Sequence, residues 1–336
     1  MNSNSIFSVT YTLLAPDTYI YIGWGILLLL TALLALLWRF SKRLWLKVSL
    51  TAPLIFIWLV FLYGSYIGVH QFEVRHIELT FDDLPPSFDG YKIVQISDIH
   101  CGTLTGSRRQ LLEQAVDSIN AQHADMVVFT GDLMNSIPSE VKPFMQLLAG
   151  IKAKDGVFSV VGNHDFPMYM EGDPFMKSDS LDVRQDIDSD LGWQLLVNDR
   201  CAIKRGEEKI FISGMDNDGD GERFPQNGDV QHALFGLSPK QFVVMLEHDP
   251  SAWRRKILPH SHVQLTLSGH THGGQLSILG LSPARLKYKE YSGLYKLSGR
   301  YLYVSNGLSG VVPFRFGTLP EIAVFTLRST QSPVKK

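Results

Sequence analysis

Cysteine is nearly absent from this chain, since only Cys101 and Cys201 occur among 336 residues. Two thiols are too few for a disulfide framework or for a thiolate metal site. We expect both to be free and at least partly buried. A strong net charge is also missing, because 31 basic and 33 acidic residues leave a formal charge of −2. Nucleic-acid binding normally needs a basic excess, so no nucleic-acid partner is expected.

Charged residues are missing from two long stretches near the N-terminus, residues 18–38 and 48–69. A helix of roughly 20 apolar residues crosses the hydrocarbon core of a bilayer, so both stretches predict transmembrane helices. A cleaved signal peptide is the alternative for the first stretch, but no Lys or Arg precedes it and no clear cleavage site follows it. We therefore expect residues 1–70 to form a membrane anchor of two helices.

The loop between the two stretches is basic, with Arg39, Lys42, Arg43 and Lys47. Basic loops tend to stay in the cytoplasm, so both chain termini would face the other side of the membrane. The sequence thus predicts a multi-pass protein of the inner (plasma) membrane. Its C-terminal part would face the periplasm or the exterior, and the lipid bilayer would be its partner.

Short apolar runs rich in β-branched residues recur after residue 90, separated by polar clusters. Such runs predict buried strands, and they cover residues 92–97, 126–130, 157–161, 209–213, 242–246, 263–267, 301–304 and 322–327. Apolar residues at helical spacing lie between the first two runs and before the third. Alternation of strand and helix is typical of an α/β layered fold. We expect a catalytic domain over residues 71–330 and a tail over residues 331–336.

Polar residues that can bind metals follow five of these runs. The motifs are Asp98-Ile99-His100, Gly131-Asp132, Gly162-Asn163-His164-Asp165, Glu247-His248-Asp249 and Gly269-His270-Thr271-His272-Gly273-Gly274. In open α/β sheets, ligands bind outside the carboxyl ends of the strands. A pair of divalent cations needs carboxylate oxygens and imidazole nitrogens, so the motifs predict a dinuclear metal site there. Each motif alone would also suit a turn or a helix cap, but the ordered set favours the metal site.

This ordered set resembles the calcineurin-like metallophosphoesterase superfamily over nearly all of residues 91–328. The continuation Gly273-Gly274-Gln275 and the later motifs Val304-Ser305-Asn306-Gly307 and Pro320-Glu321-Ile322 resemble, more narrowly, its YkuE/YaeI-like membrane-associated phosphodiesterase branch. The resemblance implies a four-layer αββα sandwich with a dinuclear centre at the strand ends.

The resemblance also implies a role for individual residues. Asp98, His100 and His272 would hold the first metal, Asp132 would bridge, and Asn163, His248 and His270 would hold the second. His164 would stabilise the transition state or protonate the leaving oxygen, and Asp165 would orient its imidazole.

The implied activity is metal-dependent hydrolysis of a phosphate ester, which we expect to be a diester, by a water activated between two cations. The ligand set suits Mn, Fe, Zn, Co or Ni. The substrate is expected at the membrane or in the periplasm, and lipid-linked phosphate esters are among the candidates. Two alternatives stay open: a pyrophosphatase of a nucleotide-linked lipid of the UDP-2,3-diacylglucosamine type, and a non-catalytic membrane sensor that binds metal.

Three further features have open roles. Residues 216–221 imitate the start of an EF-hand loop, but the twelfth position is Asn227 and not Glu, which predicts a solvated loop. Residues 166–191 are a candidate lid over the site. Arg315 is a candidate for contact with the substrate phosphate, and a surface or structural role is the alternative.

Overall fold

The computed structural model describes residues 15–166, 180–221 and 224–331. Two long apolar helices lie at its N-terminal end, α1 (Pro16–Phe40) and α2 (Leu44–Tyr66). By length and composition both can cross a membrane, and few of their residues are buried. They pack as a hairpin, in which the indole rings of Trp24 and Trp58 meet edge-on at 5.2 Å. The two predicted spans are therefore helices, each a little longer than the uncharged stretch that predicted it.

Twelve strands form two six-stranded sheets within the described residues. Their bounds are β1 (Glu73–Phe81), β2 (Lys92–Ile96), β3 (Met126–Phe129), β4 (Val157–Ser159), β5 (Gln194–Leu195), β6 (Asp199–Arg205), β7 (Glu208–Gly214), β8 (Val243–Leu246), β9 (Leu265–Ser268), β10 (Gly293–Leu297), β11 (Arg300–Val304) and β12 (Glu321–Ser329). The strand orders are β1-β12-β2-β3-β4-β5 and β10-β11-β9-β8-β7-β6. All eight predicted strands are present, while β1, β5, β6 and β10 lie outside the predicted runs.

Three apolar cores separate four layers. The remaining helices are α3 (Arg109–Ala121), α4 (Met145–Leu148), α5 (Ser180–Leu191), α6 (Val230–Ala233) and α7 (Leu258–His260). Helices α3 to α5 contribute to a core on one face of the first sheet, a second core fills the space between the sheets, and α6 contributes to a third core on the far face of the second sheet. On β3, Val127 and Phe129 point into the first core while Met126 and Val128 point into the second, as the two-residue period of a strand requires. The predicted αββα sandwich is confirmed.

Parallel pairing brings the polar motifs to one edge. Strands β2, β3 and β4 run parallel in the first sheet, and β8 and β9 run parallel in the second. The fully buried Gln95 of β2 ties the sheets together, because its Nε2 donates to the Ser268 carbonyl (2.9 Å) and to Thr130 Oγ1 (3.0 Å). This contact lies just below the loops that carry the predicted metal-binding residues.

The end of α2 packs against the catalytic part of the chain. The backbone N–H of Arg315 donates to the Gly64 carbonyl at 2.9 Å. A Cβ at position 64 would overlap the Phe314 ring, so glycine allows this close approach. One residue earlier, the ring of Tyr63 meets that of Phe316 edge-on at 5.6 Å. Segment 314–316 is therefore the point where the second apolar helix meets the sandwich.

Two expectations about loops are changed by the structure. The prediction of a solvated loop after β7 is wrong at Asp218, which is fully buried. Its carboxylate pairs with Arg255 at 2.8 Å and with Lys256, and this neutralises the charge that burial would otherwise penalise. Half of the candidate lid, residues 167–179, lies outside the described residues, and α5 (Ser180–Leu191) forms almost all of the rest.

Candidate metal centre

The seven predicted metal-binding residues meet at one edge, in two clusters that share Asp132. The first cluster consists of Asp98, His100, Asp132 and His272, and the second contains Asp132, His248 and His270. Within each cluster the candidate ligand atoms lie within 4.8 Å of one another. Asn163 belongs with the second cluster, because its Oδ1 lies 2.7 Å from His270 Nδ1 and 3.2 Å from His248 Nε2.

The backbone is strained where these residues stand. Five of the seven have a left-handed conformation, with φ between 43° and 72°: Asp98, His100, Asp132, His270 and His272. Non-glycine residues rarely adopt this region, at a cost of about 1–3 kcal/mol each. The sharp bends at Asp98 and His100 turn these two residues into the first cluster. A cluster of residues with strained backbone conformations is typical of a functional site.

In the first cluster, ring nitrogens are buried without hydrogen-bond partners. His100 is fully buried, and neither of its nitrogens has a partner among the described residues. Its Nε2 lies 3.5 Å from Asp132 Oδ2. His272 Nδ1 is likewise unpartnered and lies 3.7 Å from Asp98 Oδ1. Buried polar atoms without partners cost about 1–3 kcal/mol each, and coordination to a cation would satisfy one nitrogen of each ring. The first cluster therefore fits a metal ion.

In the second cluster, outer hydrogen bonds orient the imidazoles. His248 Nδ1 lies 2.7 Å from the Thr130 carbonyl, which leaves Nε2 facing Asp132 Oδ2 at 3.2 Å. His270 Nε2 lies 2.7 Å from the Tyr288 hydroxyl, so that its Nδ1 faces the cluster. Partners of this kind hold metal-binding rings in place. No motif in the sequence pointed to Tyr288, because it lies outside the strand-end motifs.

Burial and neighbouring charges together set the protonation of both clusters. It lowers the pKa of His100 to about 3 and that of His270 to about 4, so both rings are neutral at pH 7. It raises the pKa of Asp98 to about 7. For His248, burial opposes the charged form but the Asp132 carboxylate outweighs it, and the pKa rises to about 10. A cation bound here would displace the protons that His248 and Asp98 hold.

His164 lies beside the first cluster. Its ring meets that of His100 edge-on at 4.7 Å, and its backbone N–H donates to Asp132 Oδ1 at 2.8 Å. Its Nδ1 lies 2.7 Å from the Asn135 carbonyl. Because a carbonyl can only accept, Nδ1 carries a proton. The pairing of this imidazole with Asp165 stays a prediction, and the partner that the structure shows for Nδ1 is the Asn135 carbonyl.

The Asp165 carboxylate holds the loops together. It accepts backbone N–H groups at 2.9–3.3 Å from Asp132, Leu133, Met134 and Gly162. The buried Arg184 approaches the same carboxylate, with Nε 3.5 Å from Oδ2. Asp165 thus positions Asp132 by accepting the backbone N–H of that residue.

Arg315 has the structural role that was the alternative to substrate contact. Its side chain is 2% exposed. The guanidinium donates to the carbonyls of His272 and Asn306, both at 2.8 Å, and to that of Ser309. Arg315 therefore connects the loop that carries His272 to the segment that meets α2.

Comparison with known proteins places this geometry among phosphoesterases. Residues 91–274 match the family model described as calcineurin-like phosphoesterase. The chain is similar to the uncharacterized metallophosphoesterase YkuE of Bacillus subtilis (strain 168), with 31% identity over 277 residues that cover 80% of this chain and 90% of YkuE. It is also similar to an uncharacterized metallophosphoesterase of Aquifex aeolicus (strain VF5), with 28% identity over 272 residues that cover 80% of this chain and 97% of that protein.

A third relative carries a membrane description in its name. It is the "Transmembrane protein with metallophosphoesterase domain" of Danio rerio, 29% identical over 276 residues that cover 79% of this chain. The match spans 60% of that protein, so this chain covers less than two thirds of the relative's length. Two candidate spans in this chain agree with a transmembrane relative.

Proposed function

The chain belongs to the calcineurin-like phosphoesterase family and is a metal-dependent phosphoester hydrolase, and from this premise we propose that it hydrolyses a phosphodiester at the surface of a membrane. The observation that carries the proposal is the pair of clusters that share Asp132. Two groups of buried ligands that meet at one carboxylate suit a dinuclear centre, the arrangement used to clamp a phosphate during displacement.

The residues fit two divalent cations. Asp98, His100 and His272 would hold one, Asn163, His248 and His270 would hold the other, and Asp132 would contact both. When bound, such a pair lowers the pKa of a water molecule and neutralises the charge of the phosphate. The mixture of imidazole and carboxylate ligands suits Mn, Fe, Zn, Co or Ni.

His164 would supply a proton to the leaving oxygen. Because its Nδ1 already holds a proton toward the Asn135 carbonyl, a second proton on Nε2 makes the ring an imidazolium, which is an acid. Transfer of that proton to the departing oxygen avoids the release of an alkoxide. In support of this role, the His164 ring contacts that of His100 in the first cluster, and its backbone N–H donates to the shared Asp132.

The packing of the anchor supports a substrate at the membrane. Segment 314–316 contacts α2, and Arg315 of the same segment donates to the carbonyl of His272. Arg315 thus connects the end of a candidate membrane span, through its backbone N–H, with a metal-binding loop, through its guanidinium. We assign residues 1–70 to an anchor in the inner membrane, residues 71–330 to the catalytic domain and residues 331–336 to a tail. The basic loop between the helices would be cytoplasmic and the catalytic domain would lie on the other side.

Hydrolysis of bis-p-nitrophenyl phosphate and p-nitrophenyl phosphate by the full chain in detergent tests the activity. We expect the diester to be the better substrate, with turnover that stops on chelation and returns with Mn²⁺. An Asp98→Asn variant should stay inactive after Mn²⁺ is added. Preference for the monoester would contradict the diester assignment. Cleavage of a nucleotide-linked lipid pyrophosphate with neither reporter turned over would favour the pyrophosphatase.

A further inference from the structure

An apolar hairpin projects from the loop that follows the second pair of histidines. Ile278 and Leu281 form an antiparallel bridge with a backbone hydrogen bond of 3.0 Å in each direction. The two residues between them, Leu279 and Gly280, have φ of 53° and 79°. Positive φ at both central residues is the mark of a type I′ turn. The side chain of Leu279 at its tip is 98% exposed.

Leucine is unfavourable at this tip for two separate reasons. Asn, Asp and Gly are preferred at positive φ, because a larger side chain crowds the backbone there. In addition, an apolar side chain that is exposed to water contributes none of the favourable free energy that burial of its surface would give. Leu281 in the hairpin and Leu286 shortly after it are also exposed, by 63% and 93%. Several exposed apolar side chains within one short segment indicate a surface that binds another apolar phase.

The hairpin is joined to the segment on which the anchor packs. Leu276 pairs in parallel with Phe316, and the Ser277 N–H donates to the Phe316 carbonyl at 2.7 Å. The Phe316 ring contacts Tyr63 in the last turn of α2. A single residue therefore links the hairpin to the end of a candidate membrane span. The base of the hairpin therefore lies near the end at which α2 would leave the bilayer.

The charge of the segment fits an anionic surface. Residues 276–289 contain Arg285, Lys287 and Lys289, and no Asp or Glu. All three cations are exposed. Apolar side chains flanked by cations are the combination that binds the interfacial region of membranes with anionic lipids.

We propose that the hairpin inserts into the headgroup region of the bilayer through Ile278, Leu279, Leu281 and Leu286, while the three cations bind anionic headgroups. Both ends of the segment reach the metal centre, because Gln275 directly follows its loop and Tyr288 contacts His270. Insertion thus holds the centre at the depth where a lipid phosphodiester lies. The inference rests on the proposed membrane anchoring, and it deepens the proposed function by naming the surface that meets the lipid.

Contact with lipid can be measured without any activity. The full chain carrying Leu279→Cys and Cys201→Ser would be labelled with a fluorophore, since Cys101 is buried, and placed in phosphatidylcholine vesicles with phosphatidylglycerol. We expect quenching by lipid-attached nitroxides to approach that of a label at Leu30 in α1. Phe235→Cys is the matched control, because Phe235 is 70% exposed but contacts Arg200 of β6, at the edge of the sheet opposite β10. Its label should be quenched several-fold less.

The possible outcomes distinguish failure of the hairpin proposal from failure of the anchor proposal. Quenching at position 30 without quenching at position 279 would overturn the hairpin proposal and leave the anchor in place. No quenching at position 30 would overturn the anchoring on which it rests. Disulfide cross-linking between unlabelled Leu279→Cys chains, in place of lipid quenching, would assign the surface to a second copy of the chain.

A Leu279→Asn variant separates the turn from the side chain. Asparagine suits positive φ, so the melting temperature in detergent should not fall. The apolar contact is lost, so quenching of a label at Leu281→Cys should drop several-fold in the same vesicles. Unchanged quenching would contradict insertion of the tip.

Discussion

The two halves of the metal centre share Asp132 but are held in different ways. In the second cluster, His248 and His270 each have one ring nitrogen at 2.7 Å from an outer partner, so the protein orients both rings itself. In the first cluster, neither nitrogen of His100 has a partner among the described residues. The first cluster thus depends on a cation to satisfy its rings, whereas the second is organised beforehand. We expect the second cluster to bind its cation more tightly.

The largest expected effect comes from the residue that both halves share. Asp132→Asn should lose both cations, because each cluster loses its common carboxylate, and its activity should fall to that of the chelated protein. His272→Ala should lose one cation only. Elemental analysis of the purified variants measures the metal content. Two cations retained in Asp132→Asn would mean that the clusters are independent.

Removal of the His164 side chain should leave both metal clusters able to bind their cations. His164→Ala is expected to lower kcat by about 10²–10⁴-fold, the usual contribution of a general acid, with the metal content unchanged. Asp165→Asn serves as the contrasting variant, since its carboxylate holds the loop of Asp132 and its loss should lower the metal content. If His164→Ala lost metal, the role of this ring would be to maintain the metal site and not to act as the general acid.

Tyr288→Phe tests whether the contact of the Tyr288 hydroxyl with His270 strengthens cation binding in the second cluster alone. We expect a 10–100-fold loss of affinity for the second cation, about the effect of removing such a partner, and no change for the first. Calorimetric titration of the chelated protein resolves the two affinities. Tyr301→Phe is the control, because Tyr301 packs against Phe81 at 5.4 Å in the core between the sheets. If the variant bound both cations equally less tightly, the proposed difference between the two clusters would be contradicted.

The smallest expected effect is a pH dependence of the metal-free protein. The pKa of His248 is raised from 6.5 to about 10, so the folded state keeps a proton that the unfolded chain releases. That stabilisation is complete below pH 6.5 and is lost as the pH rises toward 10. Asp98, raised from 3.8 to about 7, acts in the same direction at lower pH. His100 and His270, whose pKa values are lowered, contribute stability that is complete above pH 6.5.

Between pH 7 and 10, His248 is therefore the one of these four groups whose contribution to stability changes. The melting temperature of the chelated full chain should fall by a few degrees across this range. Mn²⁺ should raise it more at high pH, because the cation replaces the proton. His248→Gln should flatten the slope. A melting temperature that rises with pH would contradict the assignment.

The strand-end motifs were enough to predict where the metal centre lies. Asp98 and His270 each follow an apolar run almost directly, and parallel strands deliver their carboxyl ends to one edge. The short strand β5 and the edge strands β1, β6 and β10 were not predicted, because edge strands are only partly buried and lack a continuous apolar run. Pairing with a neighbour, and not local pattern, defines them.

By itself the sequence determined the fold class, the two apolar helices and the edge of the sheets where the candidate metal-binding residues meet, because each of these depends on residue types within a few neighbouring positions. Only the tertiary structure decided the roles of Asp165, Arg315 and Tyr288. Their partners are Asp132, His272 and His270, which lie far from them along the chain. A carboxylate, a guanidinium or a hydroxyl bonds to whichever donor or acceptor folding brings within reach, and no local pattern records that choice.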